Sequence, residues 1–142
     1  RRDGGKKDTL RNLQVTGDFV VNVPDEDLAE AMNRTAEEFP PDAGELEAVG
    51  LEAASSERVR PPRIARCPVS MECRVERIFE LGRSRHNLVI GEVLLFHLRD
   101  DLCRDGQIDP RRLRPVGRMS GNLYARLRDL FELDRPWLRG PT

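Results

Sequence analysis

The sequence predicts a single, mainly β domain with flanking helices, spanning all 142 residues. Three observations carry that expectation. Apolar and polar residues alternate from Val69 to Leu81, the period of a strand with one buried face. A second apolar run, Leu88 to Leu98, follows the turn-forming stretch Gly82 to Asn87, so the two runs form a long antiparallel hairpin of a curved sheet or barrel. Helical periodicity is confined to short stretches before and after that hairpin.

Each element has its own reason. Residues 1–7 read as a polar, glycine-bearing loop. Asp8 or Thr9 can cap a short helix, DTLRNLQVT, because their side-chain oxygens accept from free first-turn amides. Leu10 and Leu13 share one face of it, and Gly17 stands where helices commonly end in a left-handed residue. FVVNV, 19–23, is a short strand ended by Pro24. DEDLAEAMNRTAEEF, 25–39, gives the clearest helix. Acids suit its positive N-terminus, Leu28, Ala31, Met32 and Ala36 form a narrow apolar face, and Pro40 and Pro41 stop it. Residues 40–68 are rich in proline and are expected to be mostly loop, with a short helix or strand near 46–54. A loop that long is usually functional or mobile, and it could cover a ligand or a partner subunit.

Within the first hairpin strand, Val69, Met71, Cys73, Val75, Phe79 and Leu81 alternate with Ser70, Glu72, Arg74, Glu76 and Glu80. Arg77 and Ile78 break step near its end. LVIGEVLLFHLRD, 88–100, is apolar on both faces, as in a strand covered on both sides. Gly91 inside it implies a bulge, a sharp bend or close approach by a ligand. DLCRDGQIDPRRL is a turn-rich connection. RPVGRMSGNLYARLRDLFEL reads as a loop and then a helix with Leu123, Leu127 and Leu130 on one stripe, and DRPWLRGPT as an extended tail.

Composition excludes several functions. The 24 Lys+Arg and 25 Asp+Glu leave a net charge of -1, against a nucleic-acid binder, and 5% aromatic residues offer few stacking platforms. No apolar stretch approaches about 20 residues, so no membrane span is expected, nor is a signal peptide. Cys67, Cys73 and Cys103 form no CxxC pair, and His86 and His97 lack a nearby carboxylate pattern, so neither a metal site nor a disulfide frame is expected. The thiols read as those of a reduced, cytoplasmic protein. GxSxG, HExxH, GxxxxGK[ST] and GxGxxG are all missing. No side chain stands out as a catalytic acid or base, so any chemistry would be carried by a cofactor.

Three motifs remain. KKDT, 6–9, sets the chain's two lysines and two oxygen side chains at a helix start, which is either a phosphate site or a solvated loop with an ordinary cap. VIGEVLLFH places Gly91, Val93, Leu95 and His97 on one strand face, with Glu92 opposite. There His97 touches a ligand, shuttles a proton, or is a hydrogen-bonded edge histidine. RMSGNLY, 118–124, combines an arginine fork, a flexible pair and a tyrosine. It suits a phosphorylated or planar ligand, or is a capped helix with an exposed arginine.

Taken in order, KDTLRNLQVTGDFVVNV, AMNRTAEEF, GLEAASSERVRPPRI, CPVSMECRVERIFELG, LVIGEVLLFHLRD and GQIDPRRLRPVGRMSGNLYARLRDLFELDRP resemble the flavin reductase-like, FMN-binding split-barrel family over residues 6–137. The resemblance implies a six-stranded Greek-key split barrel and a homodimer with FMN near the subunit interface. It also implies hydride transfer from NADH or NADPH to flavin, in some members on behalf of a partner monooxygenase. Other members only bind FMN, so the alternative is a non-catalytic carrier or sensor module. Lys7, Asp8 and Thr9 match a K-D-T that helps hold the FMN phosphate. Arg118 and Tyr124 match the ends of R-L-G-G-x-x-Y, here with Ser120 in place of its first glycine. Gly91 and His97 match a G-E-V strand whose later histidine lies near flavin or nicotinamide. The family carries further strands upstream of K-D-T, and this chain is expected to lack them.

Overall fold

The structure is a computed structural model and describes residues 8–37, 39, 44–83 and 86–134. Helix α1, Asp8–Thr16, forms over the expected DTLRNLQVT, with Asp8 and Thr9 inside its first turn and not ahead of it as caps. It ends at Gly17, whose amide donates to the Leu13 carbonyl at 3.0 Å and whose φ of +69° is open to glycine without strain. Strand β1, Asp18–Val23, follows directly.

The helix expected over 25–39 is much shorter. A 3-10 turn spans Glu26–Leu28, and α2 covers only Ala29–Arg34. Buried Asp25 starts it, one carboxylate oxygen accepting from the Leu28 amide at 3.2 Å. Thr35 ends it. Its hydroxyl donates to the Met32 carbonyl at 2.7 Å, and the Ala36 and Glu37 amides close tight turns on Asn33 and Arg34.

Within 44–68 lie α3, Glu45–Ala48, and a ribbon of β2, Ala53–Ala54, with β3, Arg63–Ile64. This segment is a working part of the core. Val49 and Leu51 pack with Leu28, flanked by Phe39, Leu46, Ile64 and Cys67.

Strands β4, Val69–Leu81, and β5, His86–Leu98, make the expected antiparallel hairpin, and β4 lies between β1 and β5. His86 begins β5 and so belongs to the strand, not the turn. The ladder slips between Glu72 and Cys73, where β5 carries the extra residue Leu94, and again between Val75 and Arg77, where β4 carries the extra residue Glu76. Gly91 pairs with Val75 at the second slip. A Cβ there would stand 2.5 and 2.7 Å from ring carbons of Phe19, and 3.2 Å from the Arg74 carbonyl. Of the reasons offered by the sequence the bulge is found, on the opposite strand, and the close Phe19 ring adds one the sequence did not offer.

Cover on both faces of β5 is not found among the described residues. Leu88, Ile90, Val93 and Phe96 stay 39–58% exposed. The strand pairs on one side only, with β4, so its apolar outer residues face outward.

After a 3-10 turn at Asp100–Leu102, a ribbon joins β6, Cys103–Arg104, to β7, Gln107–Ile108, before α4, Pro110–Leu113. The helix expected after Arg118 does not form. Instead β8, Val116–Arg118, pairs with β9, Tyr124–Arg126, and 127–134 carry no regular structure. Ser120, Gly121 and Asn122 are turn formers, Gly121 takes a φ of +59°, and the Met119 amide closes the turn on Leu123 at 3.0 Å. Leu123 and Leu127 are left 66% and 51% exposed, so among the described residues nothing covers a helical stripe. All but the first residue of the expected tail lies outside the described residues, as do residues 1–7. No described helix is long and apolar enough to cross a membrane.

Candidate functional site

The β8–β9 turn brings Arg118 opposite Tyr124 in register. The guanidinium carbon sits 5.7 Å from the ring centroid, a cation–π distance. Its terminal nitrogens donate only at long range, 3.5 Å to the Tyr124 hydroxyl and 3.4 Å to the Gly121 carbonyl. That hydroxyl donates to Asn33 Oδ1 at 3.3 Å, tying the ribbon to α2. Together these residues wall a cleft of about 360 Å³ between α2 and the ribbon. Glu26 lines its floor but is spoken for. Arg128 lies 2.6 Å and Arg126 3.3 Å from its carboxylate, and the Arg128 hydrogen bond, above all, holds its carboxyl below the usual range against the opposing effect of burial. Arg118, held only by these long contacts and by no carboxylate, has donors to spare. A guanidinium fork, an aromatic face and carboxamides can hold an anionic, planar ligand.

His97 is held elsewhere, in a polar network buried under the 57–64 segment. Glu72 is fully buried, and its carboxylate accepts from the backbone amides of Glu57, Arg58 and Val59 at 2.8, 2.6 and 3.2 Å. His97 Nε2 lies 2.6 Å from the same carboxylate. An ionised carboxylate only accepts, so that nitrogen carries the hydrogen. Burial pushes the Glu72 carboxyl up, but the amides of Glu57 and Arg58 and the His97 bond outweigh it and bring its pKa down to about 2. Beside it, buried Ser70 donates to Asn22 Oδ1 at 2.8 Å, and the Ile64 amide donates there at 3.1 Å. Alternation alone assigned Ser70 and Glu72 to the polar face opposite the apolar one. The structure buries both, because the 57–64 backbone lies over that face and supplies its donors.

A second cavity, about 630 Å³, opens between β3, β5 and the Asp25–Leu28 turn. Arg63, Arg66, Arg99, His97 and Phe96 line it. Arg99 is engaged by Asp101 at 2.6 Å and Asp25 at 3.2 Å. Cys67, also on the wall, has its thiol pushed up to about 11 by burial and by Asp25, so it is no thiolate nucleophile.

Of the residues singled out in the sequence, Arg118 and Tyr124 are thus brought together. His97 borders a different cavity, and Gly91 faces the Phe19 ring. Asp8 and Thr9 open α1. Lys6 and Lys7 lie outside the described residues. Sequence reading missed Glu72, Asn33 and the arginines of RVRPPRIAR, although that density of arginine in a proline-rich loop was a visible signal.

Known structures define the class of fold. A solved structure with a split barrel domain from Shewanella frigidimarina, 22% identical, superposes with a TM-score of 0.81 over 89% of this chain and 65% of that one. The mostly β chain shares that split-barrel fold. Nitrilotriacetate monooxygenase component B from Bacillus cereus is 37% identical with a TM-score of 0.86, covering 94% of this chain and 68% of that one. An uncharacterised protein of Halalkalibacterium halodurans is 41% identical over 138 residues, 94% of this chain and 66% of its own length. The chain therefore spans about two thirds of the length of such relatives. The flavin reductase like domain matches residues 4–115, and this chain belongs to that family.

Proposed function

We propose that the chain is the FMN-binding part of an NAD(P)H-dependent flavin oxidoreductase, with FMN held by Lys7, Asp8, Thr9, Arg118 and Tyr124. The observation that carries the reading is the stacked Arg118–Tyr124 pair on the 360 Å³ cleft, in a chain of this family. That volume falls within the range of about 300–1,000 Å³ usual for small-molecule and cofactor sites. The residues fit a phosphorylated planar group, since Arg118 has donors to give and Tyr124 offers a ring face. When bound, FMN supplies two-electron hydride chemistry. The protein's part is to bind and orient. Thr9 and the first-turn amides of α1 suit a phosphate at the positive helix end, and the Asn33 bond fixes the Tyr124 ring.

The uncovered Leu88, Ile90 and Val93 of β5 support a homodimer with FMN near its interface, since large exposed apolar patches usually mark protein contacts. Likeness to a monooxygenase component supports the supply of reduced flavin to a partner monooxygenase, and the free thiols suit a cytoplasmic setting. The test is an absorbance spectrum of the protein, expressed from its full reading frame, before and after anaerobic NADH or NADPH. A yellow protein that bleaches is the expected result. Yellow colour without bleaching would leave an FMN carrier or sensor. A colourless protein that takes up no added FMN would overturn the reading.

A further inference from the structure

The second cavity holds more positive charge than it neutralises. Its two carboxylates are committed, Asp25 to Arg99 and Asp27 to Arg114. Among the described residues, no hydrogen bond or ion pair engages the guanidinium of Arg63 or of Arg66, and Arg63 Nε is buried with no partner at all. An unpaired buried donor is costly, so the native fold retains one only against some compensation. Phe96 stands in the same wall, 58% exposed although it is a large apolar ring. Guanidinium forks match phosphate oxygens, and an exposed ring accepts a planar base.

We propose that this cavity selects the phosphorylated nicotinamide donor, Arg63 and Arg66 binding a phosphate monoester while Phe96 stacks the attached base. The proposal rests on the flavin oxidoreductase reading and adds a preference for NADPH over NADH. The 2′-phosphate of NADPH and the 5′-phosphate of FMN share the chemistry, a phosphate monoester on a sugar or polyol that carries a planar heterocycle. The donor is favoured because the Arg118–Tyr124 cleft shares no lining residue with this cavity and already suits the flavin. Arginine beside the ribose is also the recurrent device for a 2′-phosphate.

Two measurements on the full-length protein test this. In steady-state turnover, Arg63→Gln and Arg66→Gln should each raise KM for NADPH about tenfold or more, the worth of one charged hydrogen bond, leaving kcat and the KM for NADH unchanged. In calorimetry, 2′,5′-ADP should bind the wild type more tightly than 5′-ADP, and the glutamine variants should lose that difference while Arg63→Lys keeps part of it. Circular dichroism matched to wild type excludes unfolding, and the lysine variant serves if glutamine unfolds the β3 ribbon. Selective 2′,5′-ADP binding without turnover would sustain the phosphate site and refute the oxidoreductase reading. Turnover with no 2′-phosphate discrimination, or with both donors affected equally, would overturn the site. Loss of FMN but not riboflavin affinity in the variants would assign the guanidiniums to flavin and overturn the donor role.

Discussion

Replacing Glu72 with alanine removes four acceptances at once: three backbone amides and His97 Nε2 lose the carboxylate they share. The amides of Glu57 and Arg58 belong to exposed residues and can recruit water, whereas Val59 and His97 are enclosed more fully. Each donor left buried and unpaired costs about 1–3 kcal/mol, and stripping one member from a buried charged network typically costs about 3–5 kcal/mol. Glu72→Ala is therefore expected to lose about 3–5 kcal/mol, a large share of the roughly 5–15 kcal/mol that holds a domain together. Glu72→Gln preserves shape but presents one amide nitrogen to donors, orphaning one or two of them, and should lose about 1–3 kcal/mol. Urea denaturation at pH 7 reads both as a lower midpoint at unchanged slope. Acid titration gives a second readout. The Glu72 carboxyl has a folded pKa of about 2 against an ordinary 4.5, so its ionised form stabilises the fold above pH 4.5. That contribution is lost as pH falls from 4.5 towards 2, and the glutamine variant should lack this part of the acid slope. Stability of Glu72→Ala within about 0.5 kcal/mol of wild type, the size of an ordinary surface change, or parallel acid curves for wild type and Glu72→Gln, would refute the network.

Gly91→Ala should cost about 1–3 kcal/mol by overpacking against the Phe19 ring, read by thermal melting, and Phe19→Leu in the same chain should recover part of it. Asp25→Ala removes a cap and the Arg99 partner together and should cost about 2 kcal/mol in urea, while Asp25→Asn, which keeps the cap, should cost less than half as much. Lys7→Ala and Arg118→Ala should each weaken FMN binding far more than riboflavin binding in fluorescence titrations. Equal losses for both ligands would remove the phosphate from these residues.

Much of the scaffold was legible because it depends on neighbours in sequence. Helix α1, the 69–81 strand and its partner follow from the Gly17 stop, period and turn formers, and the ladder confirms them with the turn tightened by two residues. The segment after Arg118 was misread because its leucines repeat at helical spacing. That spacing stabilises a helix only when something covers the stripe, and nothing described does. The turn chemistry of Ser120, Gly121 and Asn122 then decides the outcome, and it is this turn that sets Arg118 over Tyr124.

The site residues divide on the same principle. Arg118 and Tyr124 could be read because one short turn joins them. Glu72 could not, because its partners come from a loop 13–15 residues back in sequence and from His97, 25 residues ahead. Period-two alternation says which residues share a face and nothing about which face is covered. Where the covering layer is backbone rather than apolar side chain, a polar face can be buried too, since amides need acceptors. Both faces of β4 are therefore covered at its start, Val69 and Cys73 buried on one side and Ser70 and Glu72 on the other, beneath the 57–64 segment. That segment also carries Arg63 and, two residues beyond it, Arg66 follows. The carboxylate that pins the segment's backbone amides thus anchors the chain that presents the unpaired guanidiniums to the second cavity.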